Sequence, residues 1–167
     1  MKNMMSQVRN FKVLALCALS LIALTGCKSK NEPVQPVDPQ TETIVGNVSK
    51  PDWTSPSEYD LMSSMTAIVK VDLSQSFTTE QLADWQPAAD DMLAAFDGTT
   101  CLGMTTPQDG LFFLFISAPQ EGNEVLLKYY STAVKNIFTA TEPVPYKNNT
   151  RLGTVSDPYK PKWAVAK

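Results

Sequence analysis

The clearest alternation in the chain runs over residues 59–73. Tyr59, Leu61, Ser63, Met65, Ala67, Val69, Val71 and Leu73 fall on one side of a two-residue period, with Asp60, Met62, Ser64, Thr66, Ile68, Lys70 and Asp72 on the other. That pattern describes a strand with one face on a core and the other largely toward water. Residues 92–96 and 101–105 are apolar runs flanking Asp97-Gly98-Thr99-Thr100. Asp-Gly between such runs predicts a hairpin, because the tight turn needs positive φ, which glycine adopts without strain. Residues 111–116 (Leu-Phe-Phe-Leu-Phe-Ile) are apolar on both faces and predict a central strand covered on both sides. Residues 124–133 and 136–142 give two more strands, and Pro143 and Pro145 push the next stretch to an edge or loop. Residues 151–155 give a closing strand before Asp157-Pro158. Between the first strand and the hairpin, Thr78 or Thr79 is placed to cap a short helical turn through Glu80, Leu82 and Trp85, ended by Pro87. An irregular connection fits that stretch equally. About seven short strands, with turn signals roughly every ten residues, predict an all-β fold, an antiparallel β-sandwich over residues 51–167.

The N-terminal region follows a different pattern. Lys2, Arg9 and Lys12 precede an almost uninterrupted apolar run at 13–24, followed by Thr25-Gly26-Cys27. This is the layout of an export signal. Leu24-Thr25-Gly26-Cys27 reads as a lipobox, with cleavage before Cys27 and acylation of its thiol. An apolar run of 12 residues falls well short of the roughly 20 that a membrane-spanning helix needs. Two acyl chains on Cys27 would anchor the chain stably. Residues 28–50 are rich in Pro, Gln, Glu, Lys, Ser and Asn, with Pro33, Pro36 and Pro39 at even intervals. Such a stretch buries too little surface to offset its ordering entropy, so residues 27–50 read as the lipidated cysteine and a Pro-rich tether.

Charge and composition narrow the function classes. Removing residues 1–26 discards three of the 14 basic residues and none of the 17 acidic ones, leaving a net charge of −6. No basic stripe for nucleic acid is evident. The chain contains no histidine, which excludes Ser-His-Asp and Cys-His catalysis and His-containing zinc sites. With Cys17 in the leader and Cys27 committed to lipid, only Cys101 is left. Its apolar neighbourhood (Leu102-Gly103-Met104) suits a small buried hydrophobe better than a reactive thiol.

Met92-Leu93-Ala94-Ala95-Phe96-Asp97-Gly98 followed by Cys101-Leu102-Gly103-Met104 resembles a hairpin found in Bacteroides-type cell-surface lipoproteins. Lys128-Tyr129-Tyr130, Gly153-Thr154 and Asp157-Pro158-Tyr159 are similar to later segments of the same family in order and spacing, as is Tyr59 with Ser64-Met65-Thr66 at the start. The resemblance spans most of residues 53–160. It implies a small immunoglobulin-like β-sandwich, exported and surface-associated, often beside glycan-handling modules; it implies no reaction. The chain departs from the pattern at Leu102, where the family favours arginine, and at Asp97, where it favours an apolar residue. Lys28 matches the family's surface-export signal, whereas Ser29-Lys30 interrupt it and Glu32 arrives late. The membrane face therefore stays open.

Among chemistry-bearing residues, Asp90-Asp91 with Asp84 and Asp97 offer carboxylates, but without the ligand spacing of a calcium loop. They read as a solvated acidic loop. Trp53, Trp85, Trp163, Tyr129, Tyr130, Tyr146 and Tyr159 are the aromatic candidates for a glycan platform, and each is more simply a core residue. Trp85 is the best exception, lying in the least regular segment beside Asp84 and Gln86. Asn47-Val48-Ser49 and Asn148-Asn149-Thr150 match a glycosylation acceptor pattern, and read as tether and polar turn.

The sequence thus predicts a lipid-anchored, non-catalytic outer-membrane β-sandwich serving as an accessory or interaction module. Cys27 is the anchor, the cell surface is the expected face, and no cofactor, metal or nucleic acid is called for. Partners would be the membrane and a glycan or envelope protein. Two other classes stand beside it. One is a carbohydrate-binding protein with Trp85 as platform; the other is a structural subunit of a surface fibre that pairs through an open strand edge.

Overall fold

The computed structural model describes residues 44–57, 63–82, 85–117 and 121–167. Two β-sheets pack face to face. The smaller has four strands in the order β4 (Pro107–Gln108), β5 (Leu111–Ile116), β1 (Met65–Val69) and β9 (Arg151–Leu152). The larger runs β10 (Trp163–Val165), β7 (Asn136–Ala140), β6 (Glu124–Ser131), β2 (Met92–Asp97) and β3 (Thr100–Thr105), with β8 (Val144–Pro145) also paired to β6. The pairings are antiparallel except β1 with β9 and a single parallel bridge from Val69 to Tyr159. The fold is an all-β sandwich, with ten strands among the described residues where the turn spacing suggested about seven. The excess is made of pieces of two or three residues, β4, β8 and β10, too short to leave a periodic trace, and the closing strand predicted at 151–155 shortens to β9.

The alternation places the core. Met65, Ala67 and Val69 of β1 and Phe112, Leu114 and Ile116 of β5 face Leu93, Ala95, Leu127, Tyr129, Phe138 and Trp163 of the larger sheet. Tyr129 sits at the centre, ringed by Phe112, Phe138 and Trp163 at centroid distances of 5.9–6.0 Å. The hairpin forms where Asp97-Gly98 predicts it, with Gly98 at φ +58°. A helical turn, α1 (Thr79–Leu82), also forms. Thr78 caps it reciprocally: its Oγ1 accepts from the Gln81 N–H, and its own N–H donates to Gln81 Oε1. The long first strand is shorter than its alternation: residues 58–62 lie outside the described residues, and Leu73–Gln75 is a 3-10 turn capped by Asp72.

Two expectations change. Residues 44–50, assigned to the tether from composition, pack on the domain. Ile44 is fully buried in the core, its carbonyl accepts from Asn136 Nδ2 at 2.9 Å, and the Gly46 and Val48 N–H groups donate to Val134 and Lys135. The chain then passes Tyr130, whose hydroxyl donates to the Val48 carbonyl, and lays Trp53 edge-on against Phe96 at 5.5 Å. It reaches the outer edge of β3, where the Ser55 hydroxyl donates to the Met104 carbonyl and accepts from the Met104 N–H. Residues 44–57 are thus a belt over the outer face of the larger sheet, where Met92, Ala94, Phe96 and Tyr130 are buried. Residues 44–50 escape composition-based reading because one buried apolar residue, Ile44, anchors them and backbone groups do the rest.

The second change concerns β5. Its residues are not covered on both faces. Phe112, Leu114 and Ile116 point inward, but Phe113 is only half-buried and Phe115 is 60% exposed.

Candidate functional site

Asp91 is the one acidic side chain buried completely among the described residues. It sits at the start of β2, where the chain turns out of the loop after α1. Its Oδ2 accepts from the Ala88 N–H at 2.9 Å and from the Tyr129 hydroxyl at 2.5 Å. Its Oδ1 accepts from the Thr132 N–H and Oγ1, both at 2.8 Å. A carboxylate has about four acceptor positions, and all four are filled. The group ties the loop before β2 to the turn after β6 and has no free lone pair to act as a base. Tyr129 is held protonated: burial, and then the adjacent Asp91 carboxylate, push its phenol far above the ordinary tyrosine range.

The other acids are dispersed. Asp90 is exposed, Asp97 accepts from Asn123 Nδ2 at 2.9 Å, and Asp84 lies outside the described residues. No group of three potential metal-ligating side chains occurs among the described residues.

Trp85 is half-buried and packed against the core, and its indole N–H donates to Ser131 Oγ at 3.2 Å. It braces the Asp91 node through Ser131, the residue before Thr132. Trp163, Tyr129, Tyr130 and Tyr146 are buried, Tyr146 pairing with the Ser63 hydroxyl at 3.0 Å. Tyr159 is half-buried, and burial raises its phenol pKa. Cys101 is half-buried with its thiol donating to the Gly103 carbonyl, and burial pushes that thiol upward too. Cys27 lies outside the described residues.

The surface that remains uncommitted is the outer face of the smaller sheet around Phe115, Ile68 on the same face being buried. Its register sets Thr66 of β1 opposite Phe115 of β5 and Ile68 opposite Phe113; on the other side of β1, Thr66 pairs with Arg151 of β9. Inward neighbours of these residues are core, so Phe115, Thr66 and Arg151 stand in one outward row. A depression of about 470 Å³ lies on the β5 side, lined by Phe113, Phe115, Met104, Pro56, Gln108 and Ser55 among others. A second, of about 520 Å³, lies on the β9 side beside Thr66, Ile68, Asn149 and Arg151. Exposed aromatic area rimmed by polar groups marks an interaction surface. The signal was present in the sequence as the doubly apolar run at 111–116, which reads as coverage until the structure shows that no described strand or helix packs over Phe115.

The chain matches no family model, no curated protein and no solved structure.

Proposed function

We propose that this protein is a lipid-anchored, non-catalytic cell-envelope module whose outward sheet face makes the contact with its partner. The observation that carries the reading is Phe115, a phenylalanine 60% exposed on an inner strand of a regular sheet instead of at a loop tip. A large apolar ring held rigidly in water is unfavourable for a monomer, by roughly 25 cal/mol for each Å² that a partner would cover. Asp91, the fully buried acid among the described residues, supports the non-catalytic part, since its hydrogen-bonding capacity is fully occupied by protein donors. The resemblance to Bacteroides-type surface lipoproteins and the lipobox ending at Cys27 support attachment at the outer membrane, with the cell surface as the expected face.

A fibre subunit is less well supported. The edge strands β4, β9 and β10 span two or three residues each, and the longer edge, β3, is latched by Ser55. An exposed template for strand addition is what those features remove.

A photo-crosslinking residue at position 115 in intact cells tests the contact face. The expected result is an adduct with an envelope component that is missing when the probe sits at position 98. Equal labelling at both positions, or none, would count against the face. Mass spectrometry of the mature N-terminus tests the anchor, with a diacylated Cys27 expected; an unmodified cysteine removes it. Protease shaving of intact cells separates the surface from the periplasm.

A further inference from the structure

We infer that the outer face of the smaller sheet binds an acidic saccharide, with a sugar ring on Phe115 and a carboxylate or sulfate on Arg151. The inference rests on the reading of that face as the contact surface. Its first support is register. Thr66 pairs with both Phe115 and Arg151, so the three side chains form one row across β5, β1 and β9. Phe115 and Arg151 are therefore two strand spacings, about 10 Å, apart. An arginine side chain is long enough to span more than half that distance, so a single ligand can reach both the ring and the guanidinium.

The second support is the set of polar groups with no partner. Among the described residues, the Thr66 hydroxyl, the Gln108 amide and the Arg151 guanidinium make no side-chain hydrogen bond or ion pair. Many other surface polar side chains are engaged, such as Asp97 with Asn123 and Thr154 with Ser156. A platform with unengaged hydroxyl, amide and guanidinium groups suits a ligand carrying apolar ring faces and hydroxyls in alternation. Aromatic rings supply the apolar contact, and a few polar groups set orientation.

The third support is charge. The outward positions of β1, β5 and β9 include Arg151 and no acid, in a chain whose acidic residues outnumber its basic ones 17 to 14. A guanidinium fork without a carboxylate partner among the described residues is complementary to a planar or tetrahedral anion, which it holds by paired N–H donors. The depressions beside Phe115 and beside Arg151 flank the paired strands β5 and β1, so their linings adjoin along the Thr66–Phe115 and Ile68–Phe113 pairs. An extended chain of sugars laid across the strands would touch both.

The test is isothermal titration of the full chain in detergent with oligogalacturonate, chondroitin sulfate and neutral xylo-oligosaccharide. Binding to at least one acidic probe and none to the neutral one is expected. Phe115→Ala should weaken that binding at least tenfold at every ionic strength. Arg151→Ala should weaken it at least tenfold at low salt and abolish its salt dependence, with Arg151→Lys keeping part of the charge effect. Both side chains are exposed, and unchanged thermal unfolding would confirm that the variants fold. No binding to either acidic probe, or binding that both substitutions leave intact, overturns the inference. A protein adduct at position 115 without saccharide binding overturns it while sparing the contact face; neither adduct nor binding overturns both.

Discussion

Replacing Asp91 by alanine removes the acceptor for four donors at once: the Ala88 and Thr132 N–H groups, the Thr132 hydroxyl and the Tyr129 hydroxyl. A hydrogen bond to a charged acceptor contributes about 1.5–3 kcal/mol. The four do not add, because Ala88 and Thr132 are half-buried and their donors regain water. The Tyr129 hydroxyl lies on a fully buried residue out of reach of bulk water, and keeps the Ser131 hydroxyl as its neighbour. The expected loss is about 4 kcal/mol, near the upper end for one substitution. At roughly 4 °C per kcal/mol for a domain of this size, the melting temperature falls by about 15 °C. Tyr129→Phe is the control: it leaves Asp91 three donors and should cost about 1–2 kcal/mol. Urea denaturation reads both as shifts in midpoint at constant slope. A loss below about 1 kcal/mol for Asp91→Ala, or one no larger than that of Tyr129→Phe, would refute the view that this carboxylate ties the loop before β2 to the turn after β6.

Four other outcomes follow from the geometry. Tyr129 keeps its proton in the fold and loses it near pH 10 once unfolded, so stability is intact below pH 10 and falls above it. The slope contributed is about 1.4 kcal/mol per pH unit, and Tyr129→Phe should remove that part in alkaline urea titrations. Gly103→Ala should cost about 3 kcal/mol or more, because its Cβ would fall 1.8 Å from the Phe115 carbonyl oxygen and both partners are backbone; a loss under 1 kcal/mol would contradict the close approach of β3 and β5. Ser55→Ala should cost only about 1 kcal/mol but raise self-association in light scattering, since it frees both Met104 backbone groups; a strict monomer at high concentration would remove the edge-sealing role. Cys101 should react slowly with a disulfide reagent at pH 8 and much faster in urea, and equal rates would mean that burial does not control it.

Periodicity carried the fold class because the long strands obey it. The hairpin at Gly98, the cap at Thr78 and the inward row Met65, Ala67 and Val69 are all local signals. What escaped was set by partners distant in sequence. β10 pairs Trp163 with Ala140, and nothing near residue 163 announces a strand. Asp91 looked like half of an exposed acidic pair, and only its meeting with Thr132, 41 residues on, makes it buried and satisfied. Trp85 looked free until Ser131 took its N–H, 46 residues away. The exposed face was misread for the opposite reason: alternation was absent from residues 111–116, and apolarity alone cannot say whether the second face is covered.

The belt of residues 44–57 also decides how the domain responds to force. A pull applied at Ile44 loads that buried side chain and two backbone bonds, Gly46 to Val134 and Val48 to Lys135, before it reaches Tyr130 and Trp53. Those contacts lie in series along one strip of chain, so they are loaded one after another instead of sharing the load. The ladder joining β2 to β6 is reached only after the belt has come away. A chain held at its N-terminus would thus lengthen by about a dozen extended residues, some 40 Å, before the sandwich itself bore the load. The belt is a mechanical fuse: it opens first and leaves the Phe115 face intact.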